Sequence, residues 1–142
     1  TGCETSGERA PGHALGEDAR ARPLGEAAVD VDDGHAHRWA DLTGDRSAHH
    51  FDVDAARASG ADRPFLHGLC TMALCAGAVA DLVAGGDASA LRRVAVRFAA
   101  TMPLGERLVV RAYDAGAGEV GFEAHAAGVA VVTHGRAALF AI

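Results

Sequence analysis

The chain has 142 residues and is mildly acidic, with 13 basic side chains against 19 acidic ones and a formal net charge of −6 at pH 7. This length is enough for one domain with a single core and excludes two full domains. The acidic balance argues against a general affinity for nucleic acid or for an anionic membrane surface.

The first 23 residues mix Gly, Glu, Arg, Ala and Pro without a helical or strand period. That composition predicts a flexible N-terminal arm or interdomain linker over residues 1–23, followed by one folded domain over residues 24–142. Because the chain begins with Thr1 rather than Met, we expect that an initiator residue or a longer precursor segment has been removed. The weak alternation of EAAVDVD, residues 26–32, predicts the first strand.

A helical region and a loop follow this strand. The pair of aspartates before residue 34 can cap a helix over residues 34–42. Residues 43–51 are predicted to form a loop, and a short helix capped by Asp52 or Asp54 then ends at Gly60.

Residues 67–83 are apolar nearly all round the helical period, which is typical of a helix buried on most sides. The most apolar stretch, residues 69–84, is interrupted by Gly77 and Asp81, and at about sixteen residues it is too short to span a bilayer. Cys70 and Cys75 would point roughly 140° apart on this helix, so we expect no bridge between them. The odd cysteine count also fits reduced thiols in a cytoplasmic protein.

Four strand candidates with period-two alternation complete the chain. They cover residues 92–98, 108–113, 119–126 and 129–140, with Val94, Val96 and Phe98 on one face of the first. The Gly-rich segment DAGAGE predicts a hairpin between the second and third of them. One strand, a helical region and four strands predict an α+β domain with an antiparallel sheet around one long helix.

Three residues of the loop and the long helix carry candidate chemistry. Asp45 and His50 lie five residues apart after a Gly, and Gly68 stands where the long helix begins. An acid/base pair can hold and deprotonate a water, and a Gly N–H at a helix start can stabilise a developing oxyanion. Taken alone, Asp45 is better explained as a turn cap and His50 as a packed loop residue.

The sequence pattern around these residues favours the functional interpretation. The motif contains Trp39 and the segment LTGDRSAHH, which ends at His50. Five residues then separate His50 from Ala56. This order resembles the hydratase-2 motif of the MaoC-like (R)-specific enoyl-CoA hydratases. GADRPFLHGLCT over residues 60–71 and VRFAATMPLGERL over residues 96–108 resemble two further blocks of that family.

The chain departs from the family pattern at a few positions. Ser47 and Ala48 stand where the family usually has Asn and Pro, and Thr101 and Leu104 replace two prolines of the later strand. Ser47 offers a shorter donor and acceptor than Asn. It is either a polar helper of the catalytic water or an ordinary turn residue.

The resemblance implies a hot-dog fold, in which an antiparallel β-sheet wraps around a long central α-helix. It also implies hydration of trans-2-enoyl thioesters or the reverse dehydration of 3-hydroxyacyl thioesters. Asp45 and His50 would be the acid/base pair, in an order that the sequence leaves open, and the Gly68 amide would be the oxyanion donor. Four neighbouring residues are expected to bind substrate: His67, Leu69, Phe98 and Arg97.

No separate cofactor is expected, because coenzyme A or phosphopantetheine would enter as part of an acyl-CoA or acyl-carrier-protein substrate. The resemblance implies a homodimer, or a pseudo-dimer with a second hot-dog domain. No nucleic acid and no membrane are expected as partners. Pairs such as His35 with His37 and His49 with His50 complete no recognisable zinc spacing, so no metal is expected.

Two alternatives stay open. One is a hot-dog domain, or half of a larger two-hot-dog enzyme, that binds an acyl thioester without chemistry. The other is a hot-dog thioesterase, which is the weaker alternative because such enzymes usually place a carboxylate near the central helix. Residues 69–79 contain none.

Overall fold

The computed structural model describes residues 12–140. Its α-helices are α1 (Glu17–Arg20), α2 (Asp33–Thr43), α3 (Val53–Ala58) and α4 (Gly68–Ala84), with 3-10 turns at Ala48–His50 and Ala88–Ala90. Its strands are β1 (Pro23–Asp30), β2 (Phe65–Leu66), β3 (Leu91–Phe98), β4 (Met102–Pro103), β5 (Arg107–Gly116), β6 (Glu119–Ala126) and β7 (Val129–Leu139). Among these helices none is both long and apolar enough to cross a bilayer.

Five of the strands form one antiparallel sheet in the order β1-β5-β6-β7-β3. Helix α4 packs against this sheet and buries its small side chains there, including Cys75, Ala78 and Val79. Its partners in the core are the alternate residues of the strands, such as Val110 and Phe122. The predicted α+β arrangement around one long helix is confirmed.

Local sequence sets the helix boundaries close to the site. The Asp32 side chain accepts a hydrogen bond from the His35 N–H, and the Asp32 N–H donates one to His35 Nδ1, which makes a capping box at the start of α2. Gly44 ends α2 with φ +78°, a left-handed conformation that favours glycine. Asp52 caps α3 by accepting from Ala55 N–H at 2.8 Å.

The core accommodates its one fully buried aromatic ring by leaving out a side chain opposite it. Phe122 on β6 faces Gly135 on β7, and a Cβ at position 135 would lie 2.5 Å from the Phe122 ring. Any larger residue at 135 would therefore displace the ring.

The predicted N-terminal arm divides into two parts. Residues 1–11 lie outside the described residues, so the prediction stands untested there. The rest departs from it, since Leu15 is only 3% exposed and packs with Ala19 and Tyr113 on the sheet face away from α4. A four-residue helix such as α1 is too short to show a period in the sequence. The sequence therefore did not predict that this segment packs on the sheet.

Two further features were not predicted. Strands β2 and β4 pair with each other as a small second sheet, and two residues are too few for an alternation to be seen. In β3 the register shifts between Ala95 and Arg97. Val94 and Val96 pack against the core as expected, but Phe98 beyond the shift is 48% exposed.

Candidate active site

The site forms where the loop after α2 meets the segment that leads into α4. Gly44 reverses the chain direction, and the Thr43 hydroxyl holds the turn. Thr43 Oγ1 donates to Trp39 O at 2.8 Å and accepts from the Asp45 N–H at 3.3 Å. The turn thereby presents Asp45 to His50, the last residue of the 3-10 turn.

The Asp45 carboxylate has one oxygen bound and one oxygen available. Oδ1 accepts from the Ser47 N–H at 3.2 Å and from the Ser47 hydroxyl at 2.6 Å. These bonds from Ser47, chiefly the hydroxyl, lower the pKa of Asp45 below its ordinary value, with smaller contributions from His67 and His50. Ser47 is therefore placed to orient the carboxylate, which is ionised at neutral pH.

His50 is buried, with 5% of its surface exposed. Its Nδ1 lies 2.8 Å from the Phe65 carbonyl oxygen, which can only accept, so Nδ1 carries the proton and Nε2 has a free lone pair. Burial is the largest cause of a lowered His50 pKa, and the neighbouring His67 and His49 add to it. His50 is thus neutral at neutral pH and can act as a base.

The two catalytic candidates face each other across a gap. His50 Nε2 lies 3.9 Å from Asp45 Oδ2, which is too long for a direct hydrogen bond. A water about 2.8 Å from both atoms would bridge them. Asp45 and His50 therefore lie within reach of one bridging water.

His67 lies beside this pair and not in an open pocket. It is 3% exposed, and its Nε2–H donates to the Asp45 carbonyl oxygen at 2.9 Å. Its ring stacks on that of His50, with centroids 3.7 Å apart and planes 27° apart. This placement differs from the substrate contact expected from the sequence.

Gly68 opens α4 beside a cavity of about 260 Å³. The first N–H groups of a helix have no intrahelical acceptor, so the Gly68 amide is suited to an external oxygen. The cavity is lined by Phe65, Leu66, Gly68, Thr71, Phe98, Ala99, Ala100, Thr101, Met102 and Val131. Phe98 faces Gly68 closely, 3.6 Å from where a Cβ would stand.

Asp45 and His50 do not line this cavity. The segment between them and it is short, because Phe65 both lines the cavity and accepts the His50 hydrogen bond. Phe65 therefore connects the acid/base pair with the cavity beside Gly68.

The remaining predicted substrate residues are scattered. Phe98 lines the cavity, whereas Leu69 is 65% exposed outside it. Arg97 borders a different depression, with His13 and His134. Thr71 also lines the cavity but was not predicted to do so. Its spacing of three from Gly68 places both residues on one helix face and could have indicated it.

Asp45, His50 and His67 also form a possible metal-binding set, with donor atoms all within 4.8 Å of one another. Both histidine Nε2 atoms lie 3.9–4.0 Å from Asp45 Oδ2, whereas ligands of a tetrahedral zinc ion would be about 3.4 Å apart. His67 Nε2 is moreover engaged by the Asp45 carbonyl. The set fits a bridging water better than zinc, and the expected absence of a metal stays a prediction.

Comparisons with known proteins agree with this architecture. The sequence model of the family described as "MaoC like domain" matches residues 16–135. The chain is 40% identical over 75 residues to an enoyl-CoA hydratase, ChsH3, of Mycobacterium tuberculosis. That alignment covers 53% of this chain and 26% of the other protein. It is 38% identical over 68 residues to the peroxisomal enoyl-CoA hydratase 2 of Arabidopsis thaliana, covering 48% and 22%.

Among solved structures, a MaoC-like dehydratase from Phytophthora capsici superposes with a TM-score of 0.82 and 27% identity. The alignment covers 100% of this chain and 50% of that one. The predicted hot-dog fold is confirmed. The chain spans half the length of this structural relative and about a quarter of the curated relatives it matches.

Proposed function

Because the chain belongs to the MaoC-like domain family, we propose that it hydrates trans-2-enoyl thioesters (R)-specifically or catalyses the reverse dehydration. The observation that carries this proposal is the 3.9 Å gap between an ionised carboxylate and a neutral imidazole. Such a gap holds one water between a base and an acceptor. The Gly68 amide nearby supplies the third element that the reaction needs.

The residues divide the chemistry as follows. Asp45 Oδ2 accepts one hydrogen of the water, and His50 Nε2 takes the other as the hydroxide adds to Cβ of the enoyl group. The imidazolium so formed lies beside the carboxylate, which stabilises its charge. It then delivers that proton to Cα, so the sum of the steps is addition of one water.

The Gly68 N–H has a separate role in this scheme. It donates to the thioester oxygen, on which negative charge collects as Cβ is attacked. The positive end of α4 adds to this stabilisation. The acyl chain occupies the adjacent cavity, whose lining is mostly apolar.

The carrier of the acyl group is coenzyme A or an acyl carrier protein. We also propose that the domain works as a homodimer or beside a second hot-dog domain, since it spans half of the Phytophthora capsici chain. The five-stranded sheet ends in β1 and β3 at its two edges. An edge strand exposes unpaired backbone groups that a second sheet can pair with.

A binding domain without chemistry is the second candidate. It is favoured by the position of the cavity, whose lining includes neither Asp45 nor His50. Such a domain would retain an acyl thioester while leaving it unhydrated.

The deciding experiment is the hydration of crotonyl-CoA, followed by loss of enoyl absorbance. We expect Asp45→Asn to lower kcat by about 10²- to 10⁴-fold, because the variant loses the charge that stabilises His50 as it acts as general base and then general acid. Asp41→Asn is the matched control, because Asp41 lies near the end of α2 as an exposed partner of Arg46, and it should leave kcat unchanged.

Two results would count against the proposal. Equal activity of the unmodified protein and Asp45→Asn would remove the acid/base assignment. No activity on short, long or carrier-bound enoyl thioesters, together with measurable binding of crotonyl-CoA, would establish the binding domain instead.

A further inference from the structure

His67 contacts both members of the proposed acid/base pair, each through a different part of its ring. Its Nε2–H donates to the backbone carbonyl of Asp45 at 2.9 Å. Its ring face lies on the His50 imidazole, with the centroids 3.7 Å apart. A single side chain thus fixes the backbone that carries the carboxylate and the plane of the imidazole opposite it.

Three observations separate this residue from a substrate contact. His67 is 3% exposed, it is absent from the lining of the cavity beside Gly68, and its Nδ1 is buried without a hydrogen-bond partner among residues 12–140. Since a carbonyl oxygen only accepts, the Asp45 carbonyl keeps the proton of His67 on Nε2. The ring therefore has one fixed tautomer and cannot exchange protons with a substrate that it does not reach.

His50 is held by the Phe65 carbonyl and by the His67 ring, and the groups around it affect its charge. The Phe65 carbonyl fixes His50 in its plane through Nδ1, and His67 covers one face. The titratable groups that face His50 are Asp45, His49 and His67. Two of these are imidazoles, and each disfavours a positive charge on His50.

We propose that His67 is a positioning residue that sets the separation of Asp45 and His50 and holds the orientation of the His50 ring. The proposal rests on the proposed hydratase function for its kinetic consequences but not for its structural ones. Removal of the side chain lets the Asp45 loop shift, and a displacement of about 1 Å at a reacting group costs roughly 100-fold in rate.

Two substitutions divide the contacts of His67 between them. His67→Phe keeps a ring to stack on His50 but has no N–H for the Asp45 carbonyl. His67→Gln keeps an N–H donor but has no ring. Both remove the neighbouring imidazole. His125→Phe is the matched control, because His125 on β6 likewise has a buried Nδ1 without a partner among the described residues.

We expect both His67 variants to lower kcat for crotonyl-CoA by about 10- to 100-fold while KM changes by less than about threefold. The acid limb of the kcat/KM profile should move to higher pH in both, and the His50 ring signal in NMR should titrate at the same higher pH. The His125→Phe protein should match the unmodified protein in kcat and in both titrations.

Two results would overturn the proposal, and a third would overturn only the proposed function. An unmoved His50 titration, with kcat falling only as far as thermal stability does, would make His67 a packing residue. A raised KM with unchanged kcat would make it a substrate contact. If the unmodified protein hydrates no enoyl thioester, the proposed function fails, and the NMR titration of His50 still decides the role of His67 by itself.

Discussion

The loop around Asp45 and the sheet face away from α4 both gather polar side chains, but they satisfy them differently. On the sheet face, the Tyr113 hydroxyl donates to Glu123 Oε1 at 2.9 Å, and Arg136 Nη1 donates to Glu119 Oε2 at 2.8 Å. In the loop, Asp45 Oδ2 and His50 Nε2 have no hydrogen bond from residues 12–140, although His50 is the more deeply buried group.

The difference separates stability from chemistry. The sheet-face groups bind one another, and Arg136 also donates to the Ala14 carbonyl at 2.8 Å, which holds the N-terminal segment on the sheet. In the loop, Asp45 Oδ2 and His50 Nε2 face each other at 3.9 Å, and both stay available to a water or a substrate.

After Asp45→Asn, the largest effect is expected from a substitution that removes the proposed oxyanion donor. Gly68→Pro removes the amide N–H at the first position of α4, where proline is well tolerated. The preceding His67 has φ −54° and ψ 135°, which a following proline accepts. We expect kcat to fall by about 10²- to 10³-fold with little change in melting temperature.

Gly68→Ala is the control for that substitution, because it keeps the N–H. Its Cβ would stand 3.6 Å from the Phe98 ring, an ordinary contact. It should retain most of the kcat. Full activity in Gly68→Pro would show that the amide plays no part in the reaction, whatever the outcome for Asp45.

A pH series sharpens the contrast between the two regions. The His50 pKa lies below the ordinary value of 6.5, chiefly because the ring is buried, so kcat/KM should fall only at pH values below 6.5. As the pH falls, His50 in the unfolded chain binds its proton at a higher pH than His50 in the folded chain. The free energy of unfolding is therefore highest above pH 6.5 and falls as the pH drops toward the folded pKa.

Melting temperature and kcat/KM measured over the same pH range check this expectation. His50→Gln removes the titrating group, and the acid-dependent loss of stability due to it should shrink. Loss of kcat/KM centred above pH 6.5 in the unmodified protein would contradict the neutral, buried state of His50.

The smallest effect on activity is expected from the sheet face. Tyr113→Phe deletes the hydroxyl that donates to Glu123; burial, followed by this contact, raises the pKa of Tyr113. We expect a loss of about 1 kcal/mol in the free energy of unfolding, measured by urea denaturation, with kcat unchanged. A substantial loss of kcat would mean that the two regions are coupled.

Much of the fold was predictable because its signals are local or periodic. The caps at Asp32 and Asp52 and the end of α2 at Gly44 follow from the conformations these residues favour. The apolar period of α4 indicated a central helix. Strands β2 and β4 were not predictable, because two residues each are too few to show a period.

The candidate site was predictable only in part. The spacing within LTGDRSAHH identified Asp45 and His50, and the start of α4 identified Gly68. The hydrogen bond from Ser47 to Asp45 is local. The sequence nevertheless left two interpretations of Ser47, a polar helper of the catalytic water or an ordinary turn residue. His67 was identified as a site residue but expected to meet substrate, whereas it packs behind the pair.

The sequence by itself determined which chemical groups are available and their order along the chain, including the carboxylate, the imidazole and a helix that begins with glycine. Only the tertiary structure decided the state of those groups. The tautomer of His50 depends on the carbonyl of Phe65, fifteen residues away, and its neutrality depends on burial beside His67. A hydrogen bond and a local dielectric arise from neighbours in space, which spacing along a chain does not specify.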